Sequence, residues 1–194
     1  MIPVFGEEAV RLARSAVESE TVGGCISQVT DPRFREPSGA FVTLSTYPDH
    51  DLRGCIGFPM PVIPLGRAIE EAARSACHDP RFPDLRPDEL GRITVEVTVL
   101  TVPQEIRAGS PEELADSVVI GRDGLIIDMA GRRGLLLPQV PVEWGWGPEE
   151  FLRHLSMKAG LPPDAWTHPS ARISVFRGEI YHETSPYGSI ERGE

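Results

Sequence analysis

The sequence predicts a mixed α+β fold with mainly antiparallel sheets flanked by helices, from three observations. Residues Ile93 to Leu100 alternate apolar with mostly polar side chains, a period-two pattern typical of a half-buried antiparallel strand. Residues Pro64 to Cys77 place mostly small apolar side chains on one helical face, which suits close packing of a helix on a sheet. The helix and strand patterns do not alternate regularly along the chain, which disfavours a doubly wound parallel fold.

The N-terminal half is predicted to contain one more helix and a hairpin. Phe5 to Glu20 has apolar residues at helical spacing, and Gly23-Gly24 is expected to end that helix. Prolines and charged residues mark Asp31 to Gly39 as a loop. Ala40 to Ser45 has the β-branched and aromatic residues of a strand, and a proline-containing turn joins it to Leu52 to Phe58. These two strands are expected to pair as a hairpin.

The C-terminal half is predicted to combine short strands with two helices. Ser110-Pro111-Glu112-Glu113 has the cap, the proline and the early acids of a helix start, and another helix is expected from Gly147 to Gly160. Three brief strands are predicted to form a meander: Val118 to Gly121, Leu125 to Met129 and Gly134 to Leu137. Ile173 to Glu183 is predicted to close the chain as a strand region, followed by a frayed tail after Pro186.

Length and composition predict one globular domain in the cytoplasm. A chain of 194 residues with 40% hydrophobic and 25% charged residues has the size of a single domain, and a division into two lobes is left open. The apolar runs are far shorter than the roughly 20 residues of a membrane span. The opening residues, Met1 to Gly6, lack the basic start and the apolar stretch of a secretory signal, so a cytoplasmic location is expected.

Charge and cysteine content argue against nucleic acid, disulfides and zinc. A formal net charge of −10 repels a phosphate backbone, and no Lys/Arg cluster stands out to compensate for it. The three cysteines, Cys25, Cys55 and Cys77, are too few and too widely separated for a disulfide framework, and no Cys-x-x-Cys pair suggests a structural zinc site. Because the histidines also lack the spacing of metal ligands, no metal site is predicted.

The hexapeptide Leu52-Arg53-Gly54-Cys55-Ile56-Gly57 is the strongest candidate for a functional site. Two glycines flank the cysteine so that backbone amides can approach closely, and a guanidinium lies two residues before the thiol. Nearby cations and oriented amides stabilise a thiolate, the reactive form of cysteine. Cys55 is therefore a candidate nucleophile or attachment point. The alternative is a buried structural cysteine in a strand whose glycines serve a bulge.

Two further segments carry candidate residues. His78 and Arg81, which follow the predicted alanine-rich helix, are candidates to face an anion; the alternative is helix capping by a rigid loop that prolines fix. Trp144 and Trp146 lie among prolines and glycines, where they are expected to form a rigid aromatic wall or a partner-binding surface. The alternative for these tryptophans is a buried loop clamped under a helix.

The hexapeptide resembles the hallmark motif of the AMMECR domain family. The resemblance continues in order along nearly the whole chain, through Gly39 to Leu44, Asp79 to Pro83, Val95 to Leu100, Gly121 to Leu125, Leu136 to Pro141, Trp144 to Trp146, Lys158 to Leu161 and Trp166. It implies an α+β fold of two unequal lobes, with the cysteine near the groove between them. Family members often carry a cysteine before the Lys-Ala-Gly-Leu motif, whereas this chain has Ser156-Met157, which argues against a mechanism that needs a second thiol there.

The resemblance also implies partners. In prokaryotes the family is similar to protein A of the AmmeMemoRadiSam system, which implies a Memo-like protein and a radical S-adenosylmethionine protein as the partners. No established catalytic activity and no cofactor come with it.

Two functional hypotheses are compatible with these features. In the first, the protein is a binding or carrier component that acts with those partners through a groove around Cys55. Its binding residues are then Leu52, Gly54, Ile56, Gly57, Arg81, Glu96, Trp144 and Trp146. In the second, it is an enzyme in which Cys55 is the nucleophile or is covalently loaded, Arg53 tunes the thiol, and His78 or Glu96 assists. The incomplete acid–base set favours the first hypothesis.

Overall fold

The computed structural model describes residues 4–193 and confirms the α+β class. Its helices are α1 (Val4–Val22), α2 (Leu65–Ala76), α3 (Pro111–Ser117), α4 (Gln139–Trp144) and α5 (Pro148–Lys158), with 3-10 helices at Pro32–Arg35, Pro87–Arg92 and Ala165–Thr167. Its strands are β1 (Ala40–Thr46), β2 (Leu52–Phe58), β3 (Ile93–Leu100), β4 (Gln104–Glu105), β5 (Gly124–Met129), β6 (Arg132–Leu136), β7 (Arg172–Phe176), β8 (Gly178–Glu183) and β9 (Ile190–Arg192). Within this range, no helix is long and apolar enough to cross a membrane.

The chain divides into two compact units. Unit 1 comprises the described residues up to Leu100 together with those from Glu179 onward, and unit 2 is Thr101–Gly178. Unit 1 contains a five-stranded sheet in the order β2-β1-β3-β8-β9. Unit 2 contains a four-stranded sheet in the order β4-β7-β5-β6. The predicted hairpin of β1 and β2 is confirmed, and β3 pairs with β1 on its other side.

The core of unit 1 lies between one face of its sheet and the helices α1 and α2. Ala40, Val42 and Leu44 of β1 and Val95 and Val97 of β3 are fully buried there. They are alternate residues of their strands, because successive side chains of a strand point to opposite faces. The small apolar stripe of α2 packs on β1 and β2, as the sequence predicts.

A buried ion pair joins β8 to α1. The guanidinium of Arg14 on α1 forms a two-pronged ion pair with Glu183 on β8, in which Nε lies 2.9 Å from Oε1. Arg14 also donates to the Ile93 carbonyl at 2.8 Å, and Glu183 accepts from the Val95 N–H at 3.0 Å. Both side chains are less than a tenth exposed, so each buried charge depends on the other for stabilisation.

The core of unit 2 lies between its sheet and the helices α3 and α5. Its most deeply buried side chains are Leu125, Ile127, Phe151, Leu152, Leu155 and Ile173. The predicted cap of α3 is confirmed, since the Ser110 hydroxyl accepts from the Glu113 N–H at 3.2 Å. The predicted helix that ends at Gly160 is confirmed as α5.

The strand predicted at Val118 to Gly121 is wrong, because this segment forms a turn. The Val119 carbonyl accepts from the N–H groups of Arg122, at 3.2 Å, and Asp123, at 3.0 Å. The Asp123 carboxylate in turn accepts from the Val119 N–H at 3.0 Å. This carboxylate is 1% exposed and forms ion pairs with Arg122 and Arg177. The side chain thus closes the turn, and the N–H and carbonyl of Val119 bond within the turn instead of to a neighbouring strand.

The C-terminal predictions need two corrections. Ile173 to Glu183 is divided between β7 and β8, which belong to different sheets. The division falls at Arg177, whose N–H and carbonyl bind the hydroxyl and the N–H of Thr101. The tail after Pro186 is not frayed: β9 pairs with β8, with Glu183 opposite Ile190.

The segment between β6 and α5 contains a helix, α4, that the sequence pattern does not predict. Pro138 precedes it and Pro141 lies within it, and prolines inside a segment usually argue against a helix. Pro141 is tolerated because it lies within the first turn, where a backbone N–H has no helical acceptor. Gly145 ends the helix in the left-handed conformation, at φ 68°.

Candidate functional site

Cys55 lies in a row of polar side chains that crosses the sheet of unit 1. It is opposite Thr43 of β1 in the β1–β2 ladder, and Thr43 is opposite Glu96 of β3 in the next ladder. Directly opposed residues of a sheet point to the same side, so the three side chains form one row. The Thr43 hydroxyl donates a hydrogen bond to the Cys55 sulfur, with 3.4 Å between Oγ1 and Sγ.

The row lies on the face of the sheet opposite α1 and α2. We call this surface the polar face and define it by Thr43, Cys55, Glu96, Thr98 and His182, all of which are partly exposed. The neighbours of His182 on β8, Tyr181 and Glu183, are buried with α1, so strand alternation directs His182 to the polar face.

The backbone of Cys55 is fixed at the outer edge of the sheet by Asp79 and Arg81. Because β2 is an edge strand, the outward N–H and carbonyl of Cys55 have no neighbouring strand to bind. The N–H donates to Asp79 Oδ2 at 2.9 Å, and the carbonyl accepts from Arg81 Nη2 at 3.3 Å. Arg81 also donates to both Asp79 oxygens, at 3.0 Å from Nε and 2.7 Å from Nη2. Asp79 and Arg81 therefore take the place of a neighbouring strand at Cys55, and we call this pair of side chains the clamp.

Electrostatics around this clamp favour the charged forms of both side chains. The Arg81 hydrogen bonds, together with those from the backbone N–H groups of Cys55 and Arg81, hold the pKa of Asp79 well below its usual range. The Asp79 carboxylate raises the pKa of Arg81. Arg81 is thus a cation that lies beside the backbone of Cys55 and is paired with Asp79.

Close packing accounts for both glycines of the hexapeptide. A Cβ on Gly54 would come 2.3 Å from the Ala76 carbonyl oxygen at the end of α2. A Cβ on Gly57 would come 2.2 Å from the ring of Phe41, which covers it on β1. The N–H of Gly54 points toward β1, because N–H directions alternate along a strand and that of Cys55 points outward.

The comparison with known protein families covers the segments that form this site. The model of the AMMECR1 family matches residues 10–181, which include the hexapeptide, the Asp79–Arg81 clamp and Glu96. The chain belongs to the AMMECR1 family.

Relatives in this family are similar over nearly their whole length. Protein MJ0810 of Methanocaldococcus jannaschii is 50% identical over 187 residues, which cover 95% of this chain and 93% of the relative. Protein PH0010 of Pyrococcus horikoshii is 48% identical over 195 residues, covering 97% and 94%. The crystal structure of PH0010, described as an uncharacterized protein, matches with a TM-score of 0.73 and 46% identity over 100% of this chain and 98% of that chain. These names state no activity.

In this AMMECR1-family chain, Arg53 is turned toward Glu89. Leu44 is opposite Gly54 whereas Ser45 is opposite Leu52, so Arg53 is the extra residue of a β-bulge. Its Nε lies 2.8 Å from one Glu89 oxygen and its Nη2 3.1 Å from the other. This ion pair raises the pKa of Arg53. The guanidinium that contacts the backbone of Cys55 is therefore that of Arg81, two residues beyond Asp79.

His78 joins the ends of two helices. Its Nδ1 lies 3.0 Å from Asp84 and its Nε2 lies 3.1 Å from Glu20 of α1. These two carboxylates raise the pKa of His78, Asp84 most strongly. The imidazole is thereby held as a bridge between carboxylates beyond the end of α2, and it has no hydrogen bond to Cys55.

The remaining hexapeptide residues and cysteines differ in exposure. Ile56 packs against the core of unit 1, whereas Leu52 is 42% exposed at the start of β2. Cys25 is exposed. Cys77 is buried, and burial raises the pKa of its thiol to about 11, so the thiolate is nearly absent at neutral pH. Among residues 4–193, no cluster of His, Cys, Asp or Glu could hold a metal ion.

Unit 2 carries a separate aromatic surface at its two tryptophans. Trp144 is 70% exposed, and its ring stacks on that of Trp146 with centroids 6.0 Å apart and an interplanar angle of 18°. Trp146 stacks in turn on His154 of α5, at 3.7 Å and 2°. We call these three residues the aromatic stack. The outermost ring of the stack, that of Trp144, is exposed.

Four residues of the site are not among the sequence-based candidates: Thr43, Asp79, Thr98 and His182. Thr43 could have been found from the predicted hairpin, since a register that pairs β1 with β2 places a β1 side chain opposite Cys55. The Asp-Pro-Arg order of Asp79 to Arg81 is a local turn signal. No local signal identifies His182, because its placement depends on β8 joining a strand far away in the chain.

Proposed function

We propose that this AMMECR1-family protein is a binding or carrier component that uses the polar face around Cys55. It acts with a Memo-like protein and a radical S-adenosylmethionine protein, and it holds one of them or its product. This role takes place in the cytoplasm, the location that the sequence predicts.

The hydrogen bonding of Cys55 is the observation that supports this proposal. Its backbone is held on both outward-facing groups by Asp79 and Arg81, so the thiol is presented at a fixed position. Within residues 4–193, the hydrogen bond to its sulfur comes from the Thr43 hydroxyl, and no imidazole or carboxylate bonds to it. A thiol nucleophile needs a base that removes its proton or a cation that stabilises the resulting thiolate. No base is in place here.

The aromatic stack of unit 2 gives a second contact surface. Trp144 presents a large apolar ring at 70% exposure, and stacking on Trp146 and His154 holds that ring rigid before any partner binds. Large rigid aromatic side chains dominate the affinity of many protein interfaces, since they bury much area and lose little entropy. We assign the stack to partner docking.

A catalytic role for Cys55 is the second candidate, and the position of Arg81 favours it. The Arg81 guanidinium donates to the Cys55 carbonyl, and Glu96 lies two strands from Cys55 in the same row. In this case Cys55 is a nucleophile or an attachment point, and its partner's reaction leaves an adduct on the sulfur. Intact-mass spectrometry after incubation with the partners detects that adduct, and a Cys55→Ser variant carries none.

Calorimetric titration of the purified partners tests the binding role. We expect Thr98→Arg to weaken binding by at least about tenfold, because it places a long cation on the polar face. Cys55→Ser should keep the affinity, and Trp144→Ala should cost about 2 kcal/mol. Val22→Arg, on α1, and Met157→Ala, on α5, are the matched controls, since both positions are exposed and outside the two surfaces. Unchanged affinity in Thr98→Arg contradicts the proposal.

A further inference from the structure

Glu96 lacks a cationic partner although it lies at the centre of the sheet. It is on β3, the third of five strands, and it is only partly exposed. Within the described residues, its carboxylate has neither a hydrogen bond nor an ion pair, and His182 is the nearby titratable side chain that acts on it. Burial raises the pKa of Glu96, which means that the free protein disfavours its charged form.

This arrangement differs from that of the fully buried carboxylates. Each of the three buried carboxylates in residues 4–193 is paired with arginine: Asp79 with Arg81, Asp123 with Arg122 and Arg177, and Glu183 with Arg14. The partly buried Glu89 is likewise paired with Arg53. A partly buried carboxylate without a cation costs stability, and a ligand that brings a cation removes that cost. Glu96 therefore has the property expected of a ligand-binding group.

The strand register gives the distance between Cys55 and a cation bound at Glu96. Cys55, Thr43 and Glu96 are on successive strands, so the backbones of Cys55 and Glu96 are about 10 Å apart. His182 is on β8, the strand that neighbours β3 on the side away from β1 and Cys55. A neutral imidazole has one acceptor nitrogen, which can accept a second hydrogen bond from the same cation.

We propose that the polar face binds its ligand through an ammonium or guanidinium group that pairs with Glu96 and His182, while the rest of the ligand extends over Thr43 toward Cys55. This inference rests on the proposed function, because it names the chemistry that the same face holds. It adds His182 to the binding residues and makes Glu96 the counter-ion of the ligand.

Charged thiol reagents test this inference, since a probe that reacts with Cys55 lies in the same row of side chains as Glu96. The probes are methanethiosulfonates with an aminoethyl group, which is cationic, or a sulfonatoethyl group, which is anionic. In each reaction the thiolate attacks the sulfenyl sulfur, a disulfide forms and methanesulfinate leaves. Peptide mass spectrometry measures both rates at Cys55, with the exposed Cys25 as the internal reference.

We expect Glu96→Gln to lower the ratio of the cationic to the anionic reaction rate at Cys55, measured relative to Cys25, by about tenfold, because the two probes bring opposite charges toward one carboxylate. Glu71→Gln is the matched control: it removes the same charge from α2, where Glu71 pairs with Arg67. Folding of Glu96→Gln is checked by its thermal midpoint at pH 8, which should equal or exceed that of the wild type, since the disfavoured charge is gone.

Two results overturn the inference in distinguishable ways. If Cys55 reacts with both reagents but Glu96→Gln leaves their rate ratio unchanged, the cation site is wrong and the accessible polar face stands. If neither reagent, nor the neutral methyl methanethiosulfonate, reaches Cys55 in the native protein, the polar face is not accessible and the proposed function fails as well.

A further titration identifies the source of the cation. If a lysine or arginine of a partner protein supplies it, Glu96→Gln weakens partner binding by about tenfold or more. If a small molecule supplies it, the partner's affinity for Glu96→Gln equals that for the wild type while the rate ratio at Cys55 still falls. A fall of this ratio in Glu96→Gln supports the inference with either source.

Discussion

Glu183→Ala should lower the free energy of unfolding by about 3–5 kcal/mol, the usual cost of breaking a buried ion pair by removing one partner. The substitution leaves the Arg14 guanidinium buried without a counter-charge, and it removes the acceptor of the Val95 N–H. Urea unfolding followed by circular dichroism measures the loss. Glu191→Ala is the control, because Glu191 is exposed on the neighbouring strand β9.

A double variant separates the charge effect from packing. Arg14→Met with Glu183→Leu replaces both charges by apolar groups, so it should recover much of the stability that Glu183→Ala loses. A loss below about 1 kcal/mol in Glu183→Ala would mean that Arg14 does not depend on this carboxylate.

Asp79→Ala should lower the free energy of unfolding by about 2–4 kcal/mol, since two backbone N–H groups and one guanidinium lose their acceptor. It should also loosen Cys55, whose outward N–H is then unpaired in an edge strand. Urea unfolding gives the stability, and hydrogen exchange of the Cys55 amide gives the local effect. The exposed Asp88→Ala is the control, and an exchange rate at Cys55 equal to that of the wild type contradicts the clamp.

The clamp also predicts a pH dependence. The folded-state pKa of Asp79 lies below its unfolded value of about 3.9, so its stabilising effect is complete above that pH and is lost as pH falls through the folded-state value. The stability difference between the wild type and Asp79→Asn should therefore stay constant from pH 7 to about pH 5 and shrink below about pH 4. A difference that grows toward acid pH would reverse the assigned direction.

Local patterns predict the elements whose residues carry their own signal. The alternation of Ile93 to Leu100 and the small-residue stripe of α2 describe faces that are buried in the same way in the structure. The strand β9 and the division of residues 173–183 between two sheets depend instead on which strands pair, and pairing partners are distant in the chain. The helix α4 contains Pro141 and follows Pro138, so the composition of this segment did not predict a helix.

In the candidate site, too, local sequence patterns do not predict the residues whose position depends on tertiary structure. The hexapeptide identified Cys55 as the candidate, the β1–β2 register explains why Thr43 lies beside it, and the β1–β3 register places Glu96 in the same row. Sequence proximity suggested Arg53 as the cation near the thiol, but a bulge turns Arg53 to Glu89, and Arg81 occupies that position from a loop more than twenty residues away. A single bulge can redirect a side chain, and a binary pattern of apolar and polar residues does not reveal it.

Protection of Cys55 by a bound partner tests the central claim most directly. The native protein is alkylated with iodoacetamide alone and with the Memo-like or radical S-adenosylmethionine protein present at ten times its Kd, and each cysteine is followed by mass spectrometry. One partner should slow alkylation of Cys55 by about tenfold and leave Cys25 unchanged, because the occupied polar face excludes the reagent. A saturating partner that leaves the Cys55 rate unchanged would show that the polar face is not the binding surface.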